Sequence, residues 1–388
     1  MRGSAMTIGQ LARTATATAP ARTAAETAGA APAAAAHLPR LVVDHSHVGR
    51  HVTGIERIAL ELFSAEALAP FPVEIVGAAS RRDMIVAQNI GLPARAIADR
   101  EAIVLCPGFP PSLALSAFGG RVLPYIHDLF LLTRPQDLNI RARLYMVAPF
   151  RAAVRRLPRF LVNSHATETE LRAFCRPDAE IVLYRPKVRN VFGLDAAVRE
   201  WHPEPTTGLR LVALGTVEPR KNLMAAADIV DALREGGFPT SRLDIVGRVG
   251  WGEDAERLAT RPGVTLHGYR SAEEIRAIVD AADIFINTSH DEGLGLPLLE
   301  AQYAGLPVVA PQKPVFAEVL AESGLLVDPA DPRAAAGRIA AMVAEPGWRK
   351  AAAAGAAANL TRWNAAAEGD HAGVIDLLMR LAAGRIRA

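Results

Sequence analysis

The sequence has few of the features that mark secreted, membrane-spanning or nucleic-acid-binding proteins. It contains two cysteines, Cys106 and Cys175, too few for a disulfide framework and without metal-ligand spacing. No apolar run approaches the roughly 18–20 residues that span a bilayer. The formal net charge is only +2, so overall charge gives no reason to expect nucleic acid as a partner. The few cysteines favour a protein of the reducing cytosol. With so small a net charge, any charged partner would have to bind a local patch of charged residues.

Three common motifs of nucleotide and diphosphate sites are also absent. No strand runs into the G-x-G-x-x-G turn of dinucleotide-binding oxidoreductases, and there is no G-x-x-x-x-G-K-[ST] phosphate loop. A D-x-D motif, which would bridge a metal ion to a diphosphate, does not occur. We therefore expect no metal and no cofactor, and an anionic ligand would be held by basic side chains and helix ends.

The residues that are present indicate an α/β protein. Half of them are hydrophobic, and short apolar runs alternate with helical segments along both halves, which predicts doubly wound parallel sheets. The length predicts two domains, and the proline-containing stretch from Tyr184 to Gly208 is the best linker. We place the first domain at 37–200, the second at 201–370 and a last helix at 371–388. Residues 1–36, rich in alanine and threonine, are expected to be disordered.

The most informative stretch runs from Ala281 to Glu318 and reads as strand, loop, helix and strand. Its loop lies at the carboxyl end of a buried strand, where doubly wound sheets bind ligands. Glu292 and Glu300 enclose the segment Gly-Leu-Gly-Leu-Pro-Leu-Leu. Glycines let backbone N–H groups approach a polar ligand, and the carboxylates can accept hydrogen bonds from sugar or ribose hydroxyls. A structural turn with two solvated acids is the alternative, but the complete strand–loop–helix unit favours a site.

A second loop of the same kind follows the apolar run at 209–214. It reads Gly-Thr-Val-Glu-Pro-Arg-Lys-Asn and places Arg220 and Lys221 just before a helix. Arginine offers a two-pronged hydrogen-bond donor and lysine a mobile charge, so the pair is typical of an anion site at a helix N-terminus. A pair of surface cations is the alternative, which the position after Gly215 disfavours.

Histidines occur at two strand ends. A strand at 122–126 ends in His127-Asp128, and the residues alone leave two equal interpretations: His127 in a cleft, or His127 hydrogen-bonded to a local carboxylate such as Asp128. His45, His47 and His51 share one polar loop, where we expect solvated side chains rather than metal ligands.

One segment is strongly basic. From Arg141 to Arg159 there are six arginines and no acidic residue, interleaved with aromatic and aliphatic side chains. This composition suits an anionic membrane surface or a phosphate-bearing acceptor. A solvated helix face whose apolar side packs into the core is the slightly favoured alternative.

Four of these segments together resemble the family-four retaining glycosyltransferases, which have the GT-B fold of two Rossmann-like domains facing a cleft. The stretch from Glu292 to Val308 is similar to the donor-site signature of that family, with Tyr303 where a small residue is usual. The sequence GTVEPRKN is similar to a G-T-L-E-P-R-K-N form, with Thr216 where many members carry an arginine. The runs TGIER, at 53–57, and HDL, at 127–129, resemble two further elements.

The resemblance implies roles for particular residues. Glu292 would contact the transferred sugar, Glu300 would hold the ribose, and His127 would lie in the cleft. Arg220 and Lys221 would hold the donor diphosphate, and Lys221 carries over more directly. The residues that it assigns to donor binding are Gly54, Gly215, Arg220, Lys221, Tyr269, Gly293, Leu294, Gly295, Leu296 and Glu300.

The implied activity is transfer of a sugar, with retention and without metal, from a nucleotide-diphosphate donor to a glycan or polyprenyl-linked acceptor. The EPRKN form favours GDP-mannose as donor and bacterial polysaccharide or lipopolysaccharide as product. We expect a cytoplasmic protein, peripheral on the inner face of the cell membrane. A GT-B sugar-nucleotide epimerase and a non-catalytic transferase-like scaffold are the alternatives.

Overall fold

The structure, a computed structural model, describes residues 38–49, 54–135, 140–197, 199 and 207–386. At 140–142, 144, 385 and 386 it describes the backbone alone. The predictions for residues 1–36, for His51 and for the linker residues 198 and 200–206 lie outside the described residues.

The first half of the chain forms a six-stranded parallel sheet with the strand order β2-β1-β3-β4-β5-β6. Its strands are β1 (Leu41–Asp44), β2 (Val73–Val76), β3 (Ile103–Cys106), β4 (Val122–Ile126), β5 (Arg159–Val162) and β6 (Glu180–Leu183). Its α-helices are α1 (Gly54–Leu62), α2 (Arg81–Val86), α3 (Leu92–Ala98), α4 (Leu113–Ser116), α5 (Phe130–Thr133), α6 (Ile140–Arg156) and α7 (His165–Arg172). The central strands are buried along their whole length and, apart from Asp44 at the end of β1, carry no charged residue, as expected for a parallel sheet covered by helices on both faces.

The second half forms another six-stranded parallel sheet, with the order β12-β11-β10-β7-β8-β9. Its strands are β7 (Arg210–Leu214), β8 (Arg242–Val246), β9 (Val264–Gly268), β10 (Ile284–Ile286), β11 (Val308–Pro311) and β12 (Gly324–Val327). Its helices are α8 (Leu223–Glu235), α9 (Asp254–Ala259), α10 (Ala272–Asp280), α11 (Leu296–Gln302), α12 (Pro314–Leu320), α13 (Pro332–Ala344) and α14 (Trp348–Ile386). The prediction of two doubly wound parallel sheets is confirmed.

The strand order of the second sheet explains where its ligand crevice lies. Strands β7 and β10 are hydrogen-bonded neighbours, and the sheet grows outward from them in opposite directions. The connections that leave their carboxyl ends therefore pass to opposite faces of the sheet and leave a crevice between them. The loop with Arg220 and Lys221 follows β7, and the loop with Glu292 follows β10, so the two predicted loops meet at this crevice.

Helix α14 joins the cores of the two halves. Its first part packs Leu360 and Trp363 into the core beneath the second sheet, and its last part packs Leu377 and Leu378 into the core of the first. The helix begins at Trp348, earlier than the predicted 371, because the alanine-rich sequence between them contains no proline that would end it.

The structure shows how the loop histidines and Tyr303 pack. His45 and His47 are buried, at 7% and 6% exposure, so the expectation of solvated histidines was wrong for them. The chain folds back after β1, and the ring of His47 packs edge-to-face on Phe109 with the centroids 5.7 Å apart. Tyr303 fits at the end of α11 because its hydroxyl donates to the carbonyl oxygen of Val188 at 2.8 Å.

The basic helix α6 has an apolar and a charged side. Phe150 and Val154 are buried in the first core, whereas Arg143, Arg151 and Arg155 are exposed. This arrangement agrees with the solvated helix face that the sequence slightly favoured, and lipid binding stays a prediction. Within the described ranges, no helix combines the length and the apolarity that crossing a bilayer requires.

Candidate active site

The carboxylate of Glu292 is held between two cations from the neighbouring loop. Lys221 Nζ contacts Oε1, and Arg220 Nη1 donates to Oε2 at 3.1 Å. Ser289 Oγ donates to Oε1 at 2.8 Å. Burial raises the pKa of Glu292, but Lys221 and Arg220 outweigh burial and lower the pKa to about 2. Glu292 is therefore ionised at every physiological pH.

Backbone hydrogen bonds fix the two loops against each other. His290 N donates to the carbonyl oxygen of Arg220 at 2.9 Å, and Thr288 Oγ1 donates to that of Asn222 at 2.8 Å. Gly215 lies below Lys221, and a Cβ added there would be 3.5 Å from Lys221 Cε. These contacts hold the lysine side chain in one direction, from the β7 loop toward Glu292.

Arg220 has further anionic and aromatic neighbours. Its guanidinium donates to Glu218 Oε1 at 3.0 Å and lies 5.6 Å from the ring centroid of Phe130 in the first half. Burial lowers the pKa of Arg220, but the carboxylates of Glu292, Glu218 and Asp128 raise it more. Arg220 is therefore a permanent positive charge directed at the crevice.

The Glu292 loop touches the first sheet at Gly293. Ser164 Oγ, at the end of β5, donates to the carbonyl oxygen of Gly293 at 3.0 Å. Asn163 Nδ2 donates to the carbonyl oxygen of His127, at the end of β4, at 2.8 Å. These contacts bring the carboxyl edge of the first sheet onto the Glu292 loop of the second.

His127 lies in a cleft, as one of its two interpretations expected. It lines a cavity of about 250 Å³ with Arg220 and several apolar side chains. Its Nε2 lies 2.6 Å from the carbonyl oxygen of Pro107, and because a carbonyl can only accept, Nε2 carries the hydrogen. Burial lowers the pKa of His127 to about 4, so the ring is neutral near pH 7.

Asp128 does not orient the ring of His127, which was the other interpretation. Its Oδ1 accepts from the backbone N–H of Phe130 at 3.1 Å, in the turn that leads into α5. The competing acceptor is the carbonyl oxygen of Pro107, which a sequence pattern cannot place because it follows a different strand.

A second cavity, of about 470 Å³, is lined by Glu292 and by Asp128, which also lines the first cavity. Helix α7 supplies one wall, including Glu170, and the second half supplies the other, including Asp291 and Lys313. Burial, Asp291 and Asp128 raise the pKa of Glu170 to about 7. The two cavities together make a crevice with Asp128 between them.

Glu300 is buried, with 3% of its side chain exposed, and its carboxylate is paired with Arg57 of α1. Sequence reasoning assigned Glu300 to the ribose but gave Arg57 no role. The pair spans 243 positions of sequence, so no local pattern indicates it.

The remaining predicted residues fall into two groups. Gly295, with φ of +78°, begins α11, and the side chains of Leu294 and Leu296 pack into the hydrophobic cores. Gly54 opens α1, and among the described residues no hydrogen bond or ion pair joins Gly54 or Tyr269 to Lys221 or Glu292. Tyr269 is 62% exposed at the end of β9, with the guanidinium of Arg248 over its ring.

Comparison with known proteins finds similar sequences for the second half of the chain. Residues 208–345 match the family described as "Glycosyl transferases group 1". Among curated relatives, the O-antigen chain mannosyltransferase B of Escherichia coli is 34% identical over 147 residues, 36% of this chain and 38% of that protein. A D-inositol 3-phosphate glycosyltransferase of Acidothermus cellulolyticus is 30% identical over 228 residues, 54% of this chain and 49% of that protein. The chain thus spans less than half the length of these two relatives.

Solved structures extend the likeness to both halves. Sucrose-phosphate synthase from Thermosynechococcus elongatus superposes with a TM-score of 0.68 at 17% identity, over 89% of this chain and 100% of that one. Anabaena HepE in complex with UDP and glucose gives a TM-score of 0.61 at 16% identity, over 88% and 100%. At such identities the likeness establishes the fold. Residues 208–345 are therefore similar to the group 1 glycosyl transferases, and the chain as a whole has the GT-B fold.

Proposed function

We propose that this chain is a retaining, metal-independent glycosyltransferase that moves a sugar from a nucleotide-diphosphate donor to a glycan or lipid-linked acceptor. One observation carries the proposal: Lys221 and Arg220 both pair with Glu292 at the crevice of the second sheet, and Arg220 lines a cavity together with His127 of the first. The site thus places two cations, which can bind a diphosphate, beside a carboxylate, which can accept hydrogen bonds from sugar hydroxyls.

The cations would act on the leaving group. Breaking the bond from sugar C1 to the diphosphate builds negative charge on the phosphate oxygens, and fixed donors stabilise that charge without reorganisation. A single well-aimed donor contributes about 3 kcal/mol to the transition state. Lys221 and Arg220 are already held in place by Glu292 and Glu218, so little ordering remains when the donor binds.

Glu292 would position the sugar rather than attack it. Its carboxylate is ionised and locked by three donors, which suits acceptance of sugar hydroxyls. The sequence shows no pair of carboxylates for a double displacement, so the acceptor oxygen itself would bond to C1. The bond from C1 to the diphosphate oxygen would break, and the departing phosphate would take the proton of the acceptor hydroxyl. The retaining outcome rests on the family resemblance.

Mannose as the transferred sugar and surface polysaccharide as the product are the finer parts of the proposal. They are supported by the EPRKN form of the β7 loop and by the curated relative named an O-antigen chain mannosyltransferase. The exposed arginines of α6 support a peripheral position on an anionic membrane, where a lipid-linked acceptor would be met.

Product analysis with GDP-, UDP- and dTDP-sugars separates the three possible functions. A transferase releases the nucleoside diphosphate, by slow hydrolysis of the donor or by transfer of the sugar to an added acceptor. An epimerase converts the donor into a different sugar nucleotide. A non-catalytic scaffold leaves every donor unchanged. We expect release from at least one donor, loss of release in Lys221→Met, and normal release in Arg333→Met, which removes an exposed cation from α13. Unchanged donors throughout, or normal turnover in Lys221→Met, would contradict the proposal.

A further inference from the structure

The buried carboxylate of Glu300 receives its counter-charge from the other half of the chain. Glu300 lies on α11, which packs on the second sheet, whereas Arg57 lies on α1, which packs on the first. Arg57 Nη2 donates to Oε1 of Glu300, and no other donor among the described residues reaches the carboxylate. One oxygen of Glu300 is thus engaged, and Oε2 retains its capacity to accept.

Among the residues that the structure describes, Arg57 is the one cation paired with Glu300. Its neighbour in α11, Gln302, is neutral and bonded to Asn359 of α14, whose Nδ2 donates to Gln302 Oε1 at 2.8 Å. Arg57 also lies near Glu61, one turn further along α1, but Glu61 has its own partner in Arg189 at 3.4 Å. The ionised form of Glu300 therefore depends on Arg57.

The ion pair with Arg57 opposes the effect of burial on the carboxylate of Glu300. Burial raises the pKa of Glu300, and the charge and hydrogen bond of Arg57 act in the opposite direction. A buried carboxylate without a cation takes up a proton rather than staying charged. A protonated Glu300 would offer fewer acceptor sites to hydroxyl groups.

We propose that Arg57 is a positioning residue for the donor ribose: it keeps Glu300 ionised and occupies Oε1, so that Oε2 accepts hydrogen bonds from the ribose hydroxyls. The inference rests on the proposed function, because it assigns Glu300 to the ribose of a nucleotide-sugar donor. It also makes ribose binding dependent on the contact between α1 and α11, and so on the approach of the two halves.

The test compares Arg57→Gln, Arg57→Lys, Glu300→Gln and the Arg57→Gln/Glu300→Gln double variant with the native chain. Calorimetric titration measures Kd for the nucleoside diphosphate of the active donor and for its 2′-deoxy and 3′-deoxy analogues. We expect Arg57→Gln to weaken binding of the ribose form by about 10- to 100-fold, the range for a hydrogen bond to a charged group, and to reduce discrimination against the deoxy forms. Arg57→Lys should restore part of the affinity and part of the discrimination against the deoxy forms. The double variant should bind the nucleoside diphosphate no more weakly than Glu300→Gln.

The pH dependence of donor KM provides a readout that a merely structural role would not change. Ribose binding should weaken as pH falls through the pKa of Glu300, and removing Arg57 moves that pKa upward. The donor KM of Arg57→Gln should therefore fall as pH rises, with its inflection at higher pH than in the native chain. Glu300→Gln should show no such inflection.

Arg189→Gln is the matched control, since it removes an exposed arginine beside α1 without touching Glu300. Its Kd, deoxy discrimination and KM profile should equal those of the native chain.

If Arg57→Gln keeps native Kd values and a native KM profile while Glu300→Gln loses ribose discrimination, the role of Arg57 is disproved. If the native chain binds no nucleoside diphosphate at all, the proposed function fails, and this inference fails with it. Thermal unfolding of the double variant, which leaves no buried charge unpaired, separates loss of fold from loss of binding.

Discussion

Gly293 lies so close to the carbonyl oxygen of His127 that a Cβ added at Gly293 would be 1.7 Å from that oxygen. Side chains fix both partners, because Ser164 bonds the carbonyl of Gly293 and Asn163 bonds the carbonyl of His127. The two halves of the chain meet at this point, and the meeting requires a residue without a side chain. Glycine here is explained by close approach of two backbones rather than by a special φ angle.

Gly293→Ala should therefore force the two halves apart. We expect a loss of about 1–3 kcal/mol in the free energy of unfolding and a fall in kcat, because the methyl group meets backbone that cannot move independently. Urea unfolding and steady-state kinetics measure the two effects. Gly337→Ala is the control: a Cβ added there, on α13, meets nothing within 4 Å, so it should leave stability equal or slightly higher. Equal stability and turnover in both variants would contradict the close contact.

The ion pair between Lys221 and Glu292 should be visible in a double-mutant cycle. Their side chains are 15% and 9% exposed, so removal of one partner leaves a largely buried charge. We expect Lys221→Met and Glu292→Gln each to lose about 2 kcal/mol of unfolding free energy, with the double variant losing less than the sum. Urea unfolding of the four proteins gives the coupling energy, and strictly additive losses would show that the pair does not form.

The neutral ring of His127 has a consequence for stability at acid pH. Its pKa is lowered from an ordinary 6.5 to about 4, so the unfolded chain binds a proton that the folded chain does not between these values. Stability should fall as pH drops through that window. His127→Asn should remove about 2 kcal/mol of this dependence, less than the full shift because the ring is partly exposed. Unfolding free energies at about pH 4 and pH 7 test this; an identical pH slope in both proteins would contradict it.

Glu170 gives the opposite dependence. Its pKa is raised from 4.5 to about 7, so the folded chain holds a proton that the unfolded chain releases, and stability falls as pH rises through that window. Glu170→Gln should be more stable than the native chain at about pH 8 by about 1 kcal/mol, a value reduced for solvent screening, and nearly equal at about pH 4. Glu168→Gln, on the same helix, is the control and should show no such gain. Chemical denaturation at the two pH values measures the difference.

Much of the site could be predicted because its signals are local. A buried strand followed by a glycine-containing loop and a helix start identified the loops of Lys221 and Glu292. Parallel α/β sheets place such loops at one edge, so their meeting follows from the fold. The four-residue strand β6 carries no comparable signal, because Glu180–Leu183 is short, half-buried at the edge of the first sheet and without flanking glycine.

Other features depended on tertiary contacts that sequence does not display. Arg57 is joined to Glu300 across 243 positions, and the ring of His127 is bonded to a carbonyl that follows another strand. The histidines at 45 and 47 looked solvated because their loop is polar, yet the loop folds into the protein. Local polarity predicted the loop, whereas the elements packed over it decided its burial.

Calorimetric titration of nucleoside diphosphates into the native chain and Lys221→Met asks whether the crevice holds a diphosphate. We expect GDP, UDP or dTDP to bind the native chain, with binding weakened by about 10- to 100-fold in Lys221→Met, because a charged hydrogen bond to phosphate is lost. Arg333→Met, without an exposed cation of α13, should bind like the native chain. Equal affinities in Lys221→Met and the native chain, or no binding to either, would show that Lys221 and Glu292 do not form a donor site.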